Sequence, residues 1–280
     1  MKQGDVYCTE IAGKYKCYFQ YVTKDATQPR CYVIRVLKHR YPMDYKPVIK
    51  EIVNDDTWFY AHAYLLYWAD NGWFYRVGHS SETGEEECRK VLFGCTKDTI
   101  FNEEGLPRHV NPIENWCVWH VGEQQKPVGR LTGKQLEEVE DGVIFPFSDI
   151  FERMYYGFYI SRSEIYEFDI RRRIPFQHAD IYVKKGYDNY SIPTYFYFHG
   201  NNLVRLVEIV DGKAIRMTAE DIAVSNHKMR GVGYSDIWWS HDDFISEEEF
   251  ERVWNKRYDK LSFGSLFSKI KGLIGSGRKL

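Results

Sequence analysis

Residues 57–68 read TWFYAHAYLLYW, an almost unbroken aromatic and apolar run with one histidine, His62, in its middle. Read as a strand, it points Phe59, Ala61, Ala63 and Leu65 to one side. Trp58, Tyr60, His62, Tyr64 and Leu66 point to the other. Neither side is polar throughout, so both need cover. The chain is therefore restricted to folds in which a sheet has something packed on each face. His62 has two readings, a catalytic imidazole or a buried one satisfied by a neighbour. Two tyrosines two positions away on its own face favour the second, because a buried polar group without a partner is costly.

The surrounding sequence repeats the β pattern. DVYCTEI, KYKCYFQYV and CYVIRVL are rich in Val, Ile and Tyr and are separated by turn signals at AGK and KDATQP. Asn71-Gly72, followed by WFYRVG, predicts a hairpin with the aromatic run. TYFYFHGNNLVRLVEIVDGKAIRM predicts a three-stranded meander with turns at HGNN and VDGK. Helices are expected in fewer places. SSETGEEECRKVLFG holds a short one ending at Gly94. LTGKQLEEVEDG has Thr132 and Gln135 at capping-box spacing and Gly142 as a stop. SDIFERMYYG starts from a Ser148 cap. SEEEFERVWNKRYDKL has a box of Ser246 and Glu249, with an apolar stripe of Phe250, Val253, Trp254 and Leu261. The expected fold is α+β and mainly β, a bent or barrel-like antiparallel sheet with a few flanking helices. A soft boundary near Gly157 divides the chain into a first domain, 2–157, a second strand-rich block, 158–260, and a tail, 261–280.

Charge narrows the partners. The net charge is −2, but residues from Arg257 onward carry six bases and one acid. The rest holds 38 − 6 = 32 bases and 40 − 1 = 39 acids, a net of −7. An acidic body argues against nucleic acid as the main partner and suits a basic protein. An aromatic content of 17%, with 22 Tyr and 8 Trp, suits half-buried sheets and a contact surface. The tail places Phe263, Leu266, Phe267, Ile270, Leu273 and Ile274 at helical spacing opposite Ser and Lys. That is either a terminal helix docked on the protein or a helix for a membrane surface or partner. The start of the chain has no apolar signal segment, and no run is long enough to span a bilayer. Six cysteines without a CxxC pair predict reduced thiols in a cytoplasmic protein.

Motifs that carry chemistry are sparse. There is no phosphate loop, GxSxG elbow or HExxH. HVGE at 120–123 reads as an ordinary strand end. His241, Asp242 and Asp243 could serve a hydrolase or nuclease in acid–base or metal work, or form the turn before the last helix. Arg171, Arg172 and Arg173 fit a phosphate contact or a solvated basic face. A His62–Cys88 nucleophile pair has no local signature. Two acidic clusters remain, Glu85, Glu86 and Glu87, and Glu137, Glu138, Glu140 and Asp141. Each reads either as a solvated helix face or as a contact surface for a basic partner. No metal or cofactor is expected.

The N-terminal half carries a resemblance. KQGDVYCTEIAGKYKCYFQYV is followed by PVIKEIV, WFYAHAY and NGWFYRVG, then by NWCVW, VGRLT and DGVIFPFSDIFERMYYG. That order resembles family 26 of the immunity proteins of bacterial polymorphic toxin systems. The resemblance covers residues 2–157 and rests on Gly4, Asp5 and Tyr7, on Phe59 and Tyr60, and on Gly72, Trp73, Val77 and Gly78. It implies structural roles for all of these. It also implies a β-rich, cytoplasmic, non-catalytic protein that binds and neutralises a cognate toxin. A basic nuclease toxin would make the two acidic clusters the first contact candidates. The block 158–260 and the tail lie outside the resemblance.

Overall fold

A computed structural model describes residues 1–28, 31–159, 175–186 and 192–256. Arg171–173 and the tail 261–280 lie outside the described residues, as does the predicted end of the last helix beyond Lys256. The chain divides into two compact units, Met1–Ala179 with Ser235–Asp242, and Asp180–Tyr234 with the chain from Asp243 on. The first unit runs past Gly157 because Tyr159 is buried and stacks on Phe145 at 3.9 Å.

In the first unit the three opening β patterns form β1 (Asp5–Ile11), β2 (Tyr15–Thr23) and β3 (Tyr32–Leu37). The short β4 (Tyr41–Pro42) pairs with β2, and helix α1 (Ile49–Val53) follows. The aromatic run gives β5 (Thr57–Tyr64), then α2 (Leu66–Asp70) and β6 (Tyr75–His79). After α3 (Glu85–Cys88) come β7 (Phe93–Thr96), the hairpin β8 (Thr99–Phe101) and β9 (Pro107–His109), β10 (Trp116–Trp119) and β11 (Lys126–Gly129). Then α4 (Lys134–Glu138), β12 (Glu140–Asp141), β13 (Ile144–Pro146) and α5 (Phe147–Tyr156) complete the unit's main elements. One sheet has the order β13-β5-β3-β2-β1-β6, a second β11-β10-β7-β12, and among the described residues β8 and β9 pair only with each other.

The fold is mainly β, as expected, but no described sheet closes into a barrel. Among the described residues the first sheet ends in β13 on one side and β6 on the other. It bends instead at register shifts at Val6/Tyr7, Tyr21/Thr23 and Val36/Leu37, where extra residues increase local twist. Both faces are covered. Phe19 and Phe74 pack on Phe147 of α5, and Trp73 meets Phe151 edge-on at 5.4 Å. On the other face Val22 and Val33 join Phe93, Trp119 and Val121 of the second sheet's side.

Four expectations change here. The aromatic run is a strand only to Tyr64. Its neighbours stop there, since Ala63 is opposite Tyr32 at the start of β3 and Tyr64 is opposite Pro146 at the end of β13. With no further ladder partner the chain turns into α2, which buries Trp68 against Trp73 and leaves Leu66 and Tyr67 exposed. Asn71-Gly72 closes that helix and makes no hairpin, because β6 pairs with β1. The helix expected to run to Gly94 stops at Cys88, and Gly94 lies in β7. Gly142 is not a helix stop. It lets Trp119 approach, since a Cβ there would lie 2.1 Å from the indole.

The second unit is a four-stranded antiparallel meander, β14 (Asp180–Lys185), β15 (Thr194–His199), β16 (Asn202–Val210) and β17 (Lys213–Thr218). The last three are the predicted meander. Thr218 and Asp221 cap α6 (Ala219–Val224) reciprocally. Ser246 caps α7 (Glu247–Asn255) by accepting from the Glu249 N–H at 3.1 Å. Phe250 of α7 is buried against Tyr182, Val207 and Ile245. Arg205 lies over the Tyr197, Phe250 and Trp254 rings and pairs with Glu251. It holds the helix on the sheet through its flat guanidinium face as well as its charge.

Candidate protein-binding surface

His62 lies fully buried on β5, opposite Val33 of β3. Its Nε2–H donates to Asp25 Oδ2 at 3.0 Å, an assignment that follows from the carboxylate being able only to accept. Asp25 comes from the turn KDATQP. One oxygen, Oδ1, accepts from the Thr27 N–H at 3.0 Å, the Thr27 hydroxyl at 2.7 Å and the Gly122 N–H at 3.3 Å. The other takes His62 and the Trp119 Nε1–H at 3.1 Å. Burial alone would raise the Asp25 carboxyl. The hydrogen bonds from His62, Thr27 and Trp119 outweigh it and hold the group well below the ordinary carboxylate range. Asp25 therefore ties the β2–β3 turn to the first and second sheets. His62 packs edge-on against Phe93 at 4.4 Å. It is a core histidine, and its partner is Asp25 rather than a neighbouring tyrosine. Cys88 sits in the same apolar cluster, where burial pushes its thiol up to about 12, far from a nucleophilic thiolate.

The acidic clusters sort by burial. Glu85 is half-buried and receives Gln3 at 2.5 Å, Arg89 at 2.6 Å and Thr23 at 3.3 Å. Burial would raise its carboxyl, but the bonds from Arg89 and Gln3 hold it low. Glu140 lies in β12 and pairs with Arg153 at 2.8 Å. That guanidinium also lies 3.8 Å from the Phe59 ring centroid. Asp141 is buried in β12. Of the expected contact residues, Glu85 and Glu140 are thus half-buried and already engaged by Arg89 and Arg153, and Asp141 is buried. Glu86, Glu87, Glu137 and Glu138 are exposed. Glu87 pairs with Lys90 at 2.6 Å and Glu138 with Lys134 at 3.3 Å. Glu86 and Glu137 have no ion pair among the described residues.

Topology brings the four exposed carboxylates to one end of the second sheet. α3 leads into β7 and α4 into β12. These two strands run parallel, with Glu140 opposite Phe93 and the Glu140 N–H donating to Leu92 O at 2.9 Å. Both helices therefore enter the sheet from the same end.

The other sequence candidates go elsewhere. His241–Asp243 forms a single helical turn. His241 Nε2 lies 2.9 Å from Asp242 and its ring is 5.4 Å from Trp73. Asp243 is buried, belongs to the second unit and pairs with Lys185. His120 at the strand end lies 2.9 Å from Val91 O. Among the described residues no group of three His, Cys, Asp or Glu side chains is placed to hold a metal ion. The six cysteines are all free. No described helix is long and apolar enough to cross a membrane.

Sequence reading missed Asp25, whose only signal is the Asp-x-Thr turn spacing that caps its own backbone. Compared with family models, curated proteins and solved structures, the chain matches none.

Proposed function

We propose that this chain is a non-catalytic, cytoplasmic inhibitor of the immunity-protein kind that neutralises a cognate toxin by one-to-one binding. The observation that carries this reading is the place of Glu86, Glu87, Glu137 and Glu138, exposed on the two helices that lead into the parallel strands β7 and β12. Two separate acidic stretches, about fifty residues apart in sequence, are thereby brought to the same end of one sheet. Such a surface raises the rate of encounter with a basic partner and needs no chemistry of its own. The order of aromatic motifs over residues 2–157 supports the same reading, and the toxin's chemistry is then that of a basic protein such as a nuclease.

Titration of purified chain into the toxin domain encoded beside it tests the proposal. Toxin activity should fall linearly and vanish at equimolar inhibitor. Inactivation at a small fraction of an equivalent would mean turnover and an enzyme instead. Charge reversal of all four glutamates should slow association about tenfold or more at low salt, with little effect at high salt.

A further inference from the structure

Cys95 and Cys117 stand directly opposite each other in the antiparallel pair β7–β10. Opposed residues share a face of the sheet. That face also carries the opposed pair Phe93 and Trp119, two positions along, and it packs toward Val22 and Val33 of the first sheet. The kind of pair fixes the spacing. The Lys97 N–H donates across to Asn115 O at 3.0 Å, while the Gly94 carbonyl turns the other way and accepts from the Gly142 N–H at 2.9 Å. Cys95 lies between them and so forms a hydrogen-bonded pair with Cys117, for which the Cα atoms lie about 5.5 Å apart. A disulfide spans Cα separations of about 4.4–6.8 Å.

The other cysteines are placed differently. Cys8 and Cys17 also lie on paired strands, but Cys8 is opposite Tyr18 and Cys17 opposite Thr9, so their side chains leave opposite faces. Cys31 lies in the turn before β3 and Cys88 on α3, and neither faces a cysteine across a ladder. Burial divides the roles within the Cys95–Cys117 pair. Cys95 is half-buried and Cys117 is 4% exposed, so a reagent in solution reaches Cys95 first. Burial, with Cys117 next to it, pushes the Cys95 thiol up to about 11. Little thiolate is present at neutral pH, and the pair stays reduced until an oxidant is supplied.

We propose that Cys95 and Cys117 form a reversible dithiol–disulfide site whose oxidant is a low-molecular-weight disulfide such as oxidised glutathione. Cys95 gives up its proton to solvent, and its thiolate attacks one sulfur of that disulfide. A bond from Cys95 to one glutathione forms as the oxidant's S–S bond breaks, and the other glutathione leaves as a thiolate. Cys117 then loses its proton and attacks the Cys95 sulfur, which forms the Cys95–Cys117 bond and expels the second glutathione. The two protons end on the two glutathione thiols, and the oxidant gains the two electrons that the protein loses. Facing Cβ atoms in such a pair lie about 5.5 Å apart, whereas a disulfide holds them at about 3.8 Å. The strands must draw together to close the bond, so thiols can reopen it. The proposal stands independently of the inhibitor reading.

Cys117 alone of the six cysteines lies beyond Arg108, which is exposed in the β8–β9 hairpin. A tryptic cut there leaves the two parts of the chain joined only through a bond to Cys117. The test equilibrates the full chain with oxidised glutathione, quenches it in acid, alkylates the remaining thiols in denaturant and digests with trypsin without reductant. Residues 91–97 should be joined to residues 109–130 in a species that dithiothreitol separates. The intact chain should have lost the mass of two hydrogens, and an excess of reduced glutathione should restore it. Cys117→Ser should stop at the mixed disulfide, with one glutathione on Cys95. Cys95→Ser should leave Cys117 a free thiol. A bond that joins other cysteines, glutathione that stays on wild-type Cys95 without closure, no oxidation at all, or a bond that survives excess reduced glutathione would each overturn the proposal. Wild type carries the mapping, so a serine variant that fails to fold does not spare it.

Discussion

Asp25 and Glu86 are both carboxylates in short polar stretches, and the molecule uses them in opposite ways. Asp25 is buried and takes five hydrogen bonds from four residues, His62, Thr27, Trp119 and Gly122. Glu86 stands in water at the foot of the second sheet. The difference is not in the carboxylate but in who donates to it. A buried charge is tolerated only when its lone pairs are filled, and Asp25 has donors from three chain segments. Glu86 needs none, because water solvates it, and so it stays available for another protein's cation. Crowding of acids along the sequence marks solvated positions at four of the seven, Glu86, Glu87, Glu137 and Glu138. The isolated acid in a turn is the one that carries the architecture.

Removing each side of the comparison separates them. Asp25→Ala leaves the His62 Nε2–H and the indole N–H of Trp119 buried without this acceptor, and takes it from the half-buried Thr27 donors as well. It should cost about 3–5 kcal/mol, read from urea unfolding. A loss as small as that of a surface substitution would show that water enters and replaces the carboxylate.

Acid titration is the next largest effect. The folded-state pKa of Asp25 is held below its unfolded value of about 3.9. Its contribution is thus fully present above that value and is lost as pH falls through the folded one. The urea midpoint of wild type should drop between about pH 5 and about pH 2. Asp25→Asn starts lower and should follow a flatter course; parallel curves for the two proteins would remove Asp25 from the account. The smallest effect belongs to the exposed side. Glu86→Gln with Glu137→Gln should leave the melting temperature where it was. A clear shift would mean these groups support the fold after all, and their role as a free contact surface would be lost.

Much of the fold can be read along the chain. β1, β2 and β3 follow the Val, Ile and Tyr runs, β15–β17 follow the HGNN and VDGK turns, and Ser246 caps its helix as its spacing predicts. These are local matters, set by side-chain periodicity and by bonds between residues three or four apart. The contact surface could be read only in part. Of seven acids named as candidates, Glu86, Glu87, Glu137 and Glu138 are exposed. Glu85, Glu140 and Asp141 are not, because a partner or a strand pairing elsewhere draws them in.

The sequence by itself determined that residues 57–68 need cover on both sides, and it favoured a core or interface place for His62 over a catalytic one. It could not name the cover. That β5 ends at Tyr64 depends on where β3 and β13 stop. That His62 Nε2 meets Asp25, 37 residues away, and that Trp119, 94 residues from Asp25, shares the same oxygen, depends on three segments closing together. Periodicity and capping act over one turn of chain and are written there. Burial, pairing and the solvation of a charge are set by whichever distant segment arrives, and only the tertiary structure decides that.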